Sequence, residues 1–244
     1  MRYLVVSDIH SNLEGLKAVL ADAEDRYETI CCLGDVVGYG TDPNAVTDWV
    51  RANCSCVIRG NHDKTCCGLE DAEFFNTAAK AAVDWTFKAL TEENCDWLRQ
   101  LPQGSLELDD FTMAHGSLWD EDEYLIDVKE ATPQLESAAG RLVFFGHTHV
   151  QGGFLVNAPQ TPEGKPARFP TDELRIEAGE SCLINPGSVG QPRDLLWQAA
   201  YALYDSDRRV LSYHRCHYDV EAAQAKIRAA GLPEPLAARL ALGG

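Results

Sequence analysis

Five short polar blocks, each following an apolar run, hold most of the chemistry this sequence could perform. They are Asp8-Ile9-His10, Gly34-Asp35, Gly60-Asn61-His62-Asp63, His115 and Gly146-His147-Thr148-His149. Five of the seven histidines lie in these blocks; only His214 and His217 lie elsewhere, in the last expected strand and its exit. With Asp8, Asp35 and Asn61, the five imidazoles form a mixed nitrogen and oxygen donor set that suits borderline divalent ions such as Mn, Fe, Co, Ni or Zn. The blocks contain no cysteine, which argues against a structural zinc site. About eight candidate donors exceed what one ion needs, so two ions are expected. A carboxylate shared between them would keep the ions ~3.5–4 Å apart, the spacing of two-metal hydrolases.

The elements that position these blocks can be read from the apolar pattern. Residues 2–7 form an apolar strand buried on both faces, and Asp8 to His10 fall on the strand-to-helix turn. Ser11 or Asn12 can cap the next helix, whose Leu13, Leu16, Val19 and Leu20 recur at helical spacing. A second strand over 29–33 ends at Gly34-Asp35, and Asp42-Pro43 starts a helix over 44–52. The third strand, Cys56-Val57-Ile58, puts Gly60 to Asp63 on the loop at its end. This β-loop-α order predicts a parallel sheet with ligands at the carboxyl ends of its strands. Residues 70–101 are helical, strands cover 106–108 and 111–114, and a further helix covers 127–138 before a strand at 142–145. The proline-bearing stretch 157–172 reads as an exposed loop or hairpin extension. Strands follow at about 173–177, 181–185, 200–205 and 209–215, and the end is helical over 219–230 and 233–242.

The bulk numbers narrow the function. A chain of 244 residues is the size of one large α/β domain, with a helical end from about 219 packing on it. Its 21 basic and 38 acidic residues leave a net charge of −17, against stable binding to nucleic acid or anionic membrane. Bound metal ions can still reverse the local sign for an anionic substrate. No apolar run reaches the ~18 residues of a membrane span, and residues 2–7 are too short for a signal-peptide core, so a cytoplasmic location is expected. The nine cysteines read as small buried hydrophobes kept reduced.

The ordered blocks from residue 8 to 149 resemble the full signature of the calcineurin-like metallophosphoesterase superfamily. Asn185-Pro186-Gly187-Ser188-Val189-Gly190 is similar to the closing loop of its small bacterial and archaeal phosphodiesterase branch. The resemblance implies a four-layer α/β/β/α sandwich of two mixed sheets. The first β-loop-α half should supply one sheet and the segment from about 173 to 215 much of the second. It further implies that Asp8, His10, Asp35 and His149 hold one divalent ion, with manganese the leading choice. Asp35, Asn61, His115 and His147 hold the other, with Asp35 bridging. A bridging hydroxide then attacks phosphorus while His62 stabilises charge or donates a proton. Asp63 should hydrogen-bond His62, fix its tautomer and raise its pKa, unless it caps a helix instead. Asn12 either reaches the substrate or caps its helix. Arg193 either binds phosphate bidentately or forms a surface salt bridge. Tyr39 is placed on a wall of the cleft.

The expected substrate is a small phosphorylated molecule, a phosphodiester or phosphomonoester that includes nucleotides; a homo-oligomer is compatible with this reading. A protein phosphatase, a dinucleoside-polyphosphate hydrolase, a DNA exonuclease and a non-catalytic scaffold are the competing readings. The intact His62 speaks against the scaffold and the acidic balance against the exonuclease. Two departures from the family pattern bear on substrate identity: Leu195-Leu196-Trp197, and the acidic run Asp120 to Glu123.

Overall fold

Strand β1 (Arg2–Val6) is the centre from which the architecture grows. In the computed structural model, which describes residues 1–73, 75–155 and 173–244, β1 runs parallel to β2 (Thr29–Cys32). On its other edge it meets β10 (Ala199–Asp205) antiparallel, with Tyr3 opposite Tyr204 and Val5 opposite Ala202. The first three units are β1, α1 (Leu13–Asp22), β2, α2 (Pro43–Asn53), β3 (Cys56–Val57) and α3 (Asn61–Cys66). Two helices follow, α4 (Thr77–Ala89) and α5 (Glu92–Arg99). The second sheet begins with the hairpin of β4 (Leu106–Glu107) and β5 (Thr112–Met113). Next come α6 (Val128–Ala138), β6 (Leu142–Phe144), β7 (Gly152–Leu155), β8 (Glu173–Arg175) and β9 (Cys182–Asn185). The chain closes with β10, β11 (Val210–Cys216), α7 (Val220–Ala229) and α8 (Glu234–Ala238). The expected stretch at 157–172 lies outside the described residues.

Among the described residues the strands form a six-stranded sheet, β3-β2-β1-β10-β11-β8, and a five-stranded sheet, β4-β5-β6-β9-β7. Both are mixed, and side-chain alternation along each strand separates the layers. Val5, Cys31, Leu33, Ala202 and Tyr204 point toward the other sheet, where they meet Phe111, Met113, Phe144 and Ile184. The opposite faces carry Leu4, Val6, Ile30 and Tyr201 under helices, and Val143, Phe145 and Leu183 under α6. Helices, sheet, sheet and helix thus make the four layers. The residues Ala223, Ile227, Leu236 and Leu240 of the C-terminal end share one core with Leu16 and Val19 of α1.

One expectation about the sheets is corrected. The late strands β8, β10 and β11 extend the first sheet, and only β9 of that segment joins the second. Parallel pairing of β1, β2 and β3, and of β5, β6 and β9, brings the carboxyl ends of each group to one edge. The nine cysteines are free, and seven of them are buried. No described helix is long and apolar enough to cross a membrane.

Candidate metal centre

The polar blocks meet where the carboxyl edges of the two sheets converge. Asp8, His10, Asp35 and His149 offer donor atoms within 4.8 Å of one another, and so do Asp35, His115 and His147. All six side chains are buried, and Asp35 belongs to both groups. Asn61 joins the second group, its Oδ1 lying 3.3 Å from His115 Nε2. Backbone geometry shows how tightly the loops are drawn in. Asp8, His10, Asp35, His147 and His149 all have positive φ, a region that non-glycine residues enter only under tertiary constraint. Gly60 answers a different demand: a Cβ there would lie 2.2 Å from Asp35 Oδ1, so α3 can approach the carboxylate only without a side chain at that point.

Hydrogen bonds set the imidazole tautomers. His10 Nδ1 lies 2.9 Å from the Val37 carbonyl, His115 Nδ1 2.7 Å from that of Leu33, and His149 Nδ1 2.6 Å from that of Gln191. A carbonyl only accepts, so each Nδ1 carries a proton and each Nε2 turns toward the cluster. For His147 the partner is reversed: Nε2 lies 3.2 Å from the Asp122 carbonyl, which leaves Nδ1 for the centre.

The donor set fits divalent ions on its own geometry. His10 Nε2 and His149 Nε2 face each other at 3.1 Å. Two neutral nitrogens with inward lone pairs repel at that distance unless positive charge lies between or beside them. Asp35 Oδ2 has no hydrogen-bond partner although it is buried, and it stands 3.4 Å from both His10 Nε2 and His115 Nε2. Its other oxygen accepts from His62 N at 2.8 Å. A carboxylate held on one side by backbone and open on the other, between two imidazole pairs, is suited to bridging two cations.

Electrostatics point the same way. Burial alone favours the neutral form of every group here, and it pushes Asp8 up and His10 and His149 well down. His147 is lowered by burial to about 3, with the neighbouring His115 adding to the effect. His115 goes the other way: burial opposes its charge, but the Asp35 carboxylate overcomes this and raises it to about 10. Asp35 stays well below the carboxylate range despite burial, because His115 and His62 surround it. The carboxylates call for positive charge at the centre.

His62 stands beside the cluster rather than in it. Its ring is flanked by Tyr39 at 4.4 Å, Phe75 at 4.7 Å and His10 at 4.8 Å between centroids. Three expectations about its block are corrected. Asn61, His62 and Asp63 open helix α3 rather than lying on a loop. Asp63 does not bond His62: its Oδ1 accepts from Val37 N at 3.1 Å and its Oδ2 from Gly60 N at 3.0 Å, while His62 Nδ1 has no partner. Adjacent residues on a helix project to different sides, so an i, i+1 pair cannot serve as orienter and oriented. Asp63 is the N3 carboxylate that caps the helix start. Burial lowers His62 to about 4 against the opposing pull of the Asp35 carboxylate, so it is not raised.

Asp63→Ala strips acceptors from two buried N–H groups, at ~1–3 kcal/mol each. The expected result is a lower melting temperature with an unchanged pH profile of hydrolysis. A shifted profile at intact stability would restore Asp63 to the orienting role.

The outer contacts divide. Asn12 is occupied at both ends, its Oδ1 capping α1 through Gly15 N at 2.9 Å and its Nδ2 donating to the Gly190 carbonyl at 2.9 Å. Its place is structural, locking the closing loop to the first helix. Arg193 lies over the Tyr39 ring at 5.7 Å and bonds Tyr39 Oη at 3.3 Å and Gln191 Oε1 at 3.2 Å. Two acids of the run are paired, Glu121 with Arg59 at 2.9 Å and Asp122 with Lys64 at 2.5 Å. Leu195 and Leu196 are exposed, and Trp197 packs against His217 and Tyr218. Sequence reasoning missed Gln191, Ser188 and Phe75. The first two lie in or beside the closing loop, whose motif is visible in the sequence, but Phe75 carries no motif that could have marked it. A cavity of about 350 Å³ opens beside Asn61 and His147, lined by Lys64, Thr65, Phe75 and Tyr124 and by the acids Glu70, Asp71 and Asp122.

Comparisons with known proteins agree with this geometry. The calcineurin-like phosphoesterase superfamily domain matches residues 1–209. An uncharacterized protein of Methanocaldococcus jannaschii, MJ0912, is 37% identical, over 98% of this chain and 97% of its own. The crystal structure of a metallophosphoesterase from Sphaerobacter thermophilus superposes with a TM-score of 0.86 at 37% identity, covering 100% of this chain and 99% of that one. The hypothetical protein PH1004 from Pyrococcus horikoshii shares the fold, with a TM-score of 0.80 at 19% identity over 100% and 98% of the two chains.

Proposed function

The chain belongs to the calcineurin-like phosphoesterase superfamily and is a phosphoester hydrolase, and we propose from this that it is a dinuclear-metal enzyme acting on a small phosphodiester or phosphomonoester, nucleotides included. The observation that supports this reading best is Asp35, shared between two buried His/Asp clusters with an unpartnered oxygen between them. In this reading Asp8, His10, Asp35 and His149 hold one ion and Asp35, Asn61, His115 and His147 the other. Manganese leads among the ions that such donors accept, with Fe, Ni, Co and Zn as the others. Divalent ions there would supply the charge that draws phosphate oxygens and acidifies water.

The rest falls to side chains. His62, neutral at physiological pH by its burial, donates a ring N–H to the phosphoryl or leaving-group oxygen. Arg193, half-buried and steered by Tyr39, presents its guanidinium to the phosphate. The cavity beside Asn61 and His147 has the volume for a small organic leaving group.

The reading is tested on metal-stripped protein reloaded in turn with Mn, Ni, Co, Fe and Zn and assayed against a panel of phosphomonoesters and diesters. Hydrolysis should return with two ions per chain; full loading with no turnover of any ester would defeat it. Arg193→Met should raise KM by at least roughly tenfold with little change in kcat, the loss of a charge-assisted bond of ~1.5–3 kcal/mol. An unchanged KM would leave Arg193 as a support for Tyr39 only.

A further inference from the structure

We propose that the buried ion cluster of Arg59, Lys64 and Glu121 positions the second metal site, and that it does so by holding the segment whose Asp122 carbonyl orients His147. The proposal rests on the dinuclear reading above.

Glu121 is nearly inaccessible, its side chain 3% exposed, and its Oε1 lies 2.9 Å from Arg59 Nη2 and 3.3 Å from Lys64 Nζ. Lys64 also pairs with Asp122 Oδ2 at 2.5 Å. Both cations flank a ligand candidate: Arg59 stands two residues before Asn61, and Lys64 one helical turn after it on α3. Glu121 and Asp122 lie on the segment that leaves His115, while a third partner of Lys64, Glu70 at 2.6 Å, follows α3. That segment coils back over its own start, because a Cβ on Gly116 would meet the carbonyls of Asp120, Glu121 and Glu123 at 2.7–2.8 Å. The Asp122 carbonyl then sits 3.2 Å from His147 Nε2, which selects the tautomer with a free Nδ1 lone pair.

Asn61, His115 and His147 are therefore tied into one charged network. The first site draws on different supports, the carbonyls of Val37 and Gln191 for His10 and His149 and the Ser188 hydroxyl on the Asp8 carbonyl. A buried ion pair adds little net stability over well-packed apolar groups, but it fixes geometry, and removing one partner strands a charge. Placed here, it would act directly on the second site, and on the first only through the shared Asp35 and through His147 N, which donates to the Asp8 carboxylate at 3.2 Å.

The test uses the full chain stripped of metal and titrated with Mn2+ by calorimetry, with metal per chain counted by mass spectrometry. Glu121→Gln should bind the first ion as the wild type does and the second up to about 10-fold more weakly, the low end of the ~10–100-fold range for losing an outer partner of a metal ligand, because Glu121 holds His147 only through the Asp122 segment. Excess Mn2+ should recover hydrolysis in that variant while its metal-free melting temperature matches that of the wild type, which separates a weakened site from a folding defect that metal would also offset. Both ions bound with wild-type affinity, or both weakened equally, would overturn the proposal. If Glu121→Gln does not fold, Lys64→Met, which leaves the Arg59–Glu121 pair in place, is titrated in the same way. Selective weakening of its second ion supports the positioning role, and unchanged or equally weakened binding overturns it. A wild-type chain that takes up only one ion overturns the dinuclear reading itself and the positioning role with it; two ions in the wild type isolate any failure to the cluster.

Discussion

Asp35→Asn should leave a folded protein that no longer holds two ions and hydrolyses esters at least ~10³-fold more slowly, the equivalent of ~4 kcal/mol of lost charge stabilisation. The substitution is chosen because it separates shape from charge. The amide oxygen of Asn can still accept from His62 N, the bond that Asp35 Oδ1 makes at 2.8 Å, so the approach of α3 is preserved. What disappears is the anionic oxygen 3.4 Å from both His10 and His115. An amide bridges two cations poorly, and its NH2 group would point at two imidazole nitrogens. Metal content and hydrolysis measured on the same preparation check the expectation. Two ions retained with wild-type turnover would mean that Asp35 is not the shared ligand.

Replacing His62 has the second largest expected effect, and a different pattern. His62→Phe keeps an aromatic ring among Tyr39, Phe75 and His10 but removes both ring nitrogens. Metal loading should stay at two ions while kcat falls by about 10²–10³, the usual cost of removing one positioned hydrogen-bond donor to developing charge. His62→Ala should lose as much activity and some stability as well, because it empties a packed pocket. Hydrolysis retained in either variant at full loading would remove His62 from the reaction. Burial lowers His62 to about 4, so its charged form is populated only below that pH. Activity should therefore show no His62 limb as pH rises through 6 and 7.

The parts of this centre that are legible in the sequence are those whose chemistry demands particular residue types. Histidine and carboxylate at strand ends are costly to bury without a task, so their order along the chain is informative by itself. Asp8, His10, Asp35, His115, His147 and His149 do come together. The failures have physical causes. An apolar alternating run says that a strand exists and which faces are buried, not which sheet it enters, so the pattern alone misplaces β8, β10 and β11. Helix α3 has six residues and no apolar stripe to announce it, so Asn61 to Asp63 read as loop. Adjacency suggests a pairing of Asp63 with His62, although neighbours on a helix diverge. That Arg59 and Lys64, more than fifty residues earlier, pair with Glu121 and Asp122 of the acidic run leaves no sign in the sequence.

The closing loop also dictates an order of events in the making of this protein. Val189 N and Gly190 N bond the carbonyls of Ser7 and Asp8, and the Ser188 hydroxyl bonds the Asp8 carbonyl as well. Strand β1, which leads into those residues, waits for β10 to complete its pairing. During synthesis the first ligands leave the ribosome long before the strand and loop that seat them, and such distant pairings form slowly. Metallation is therefore a late step. A nascent chain exposes Asp8, His10 and Asp35 early, but the loop that seats Asp8 beside the other donors exists only after most of the chain has been made.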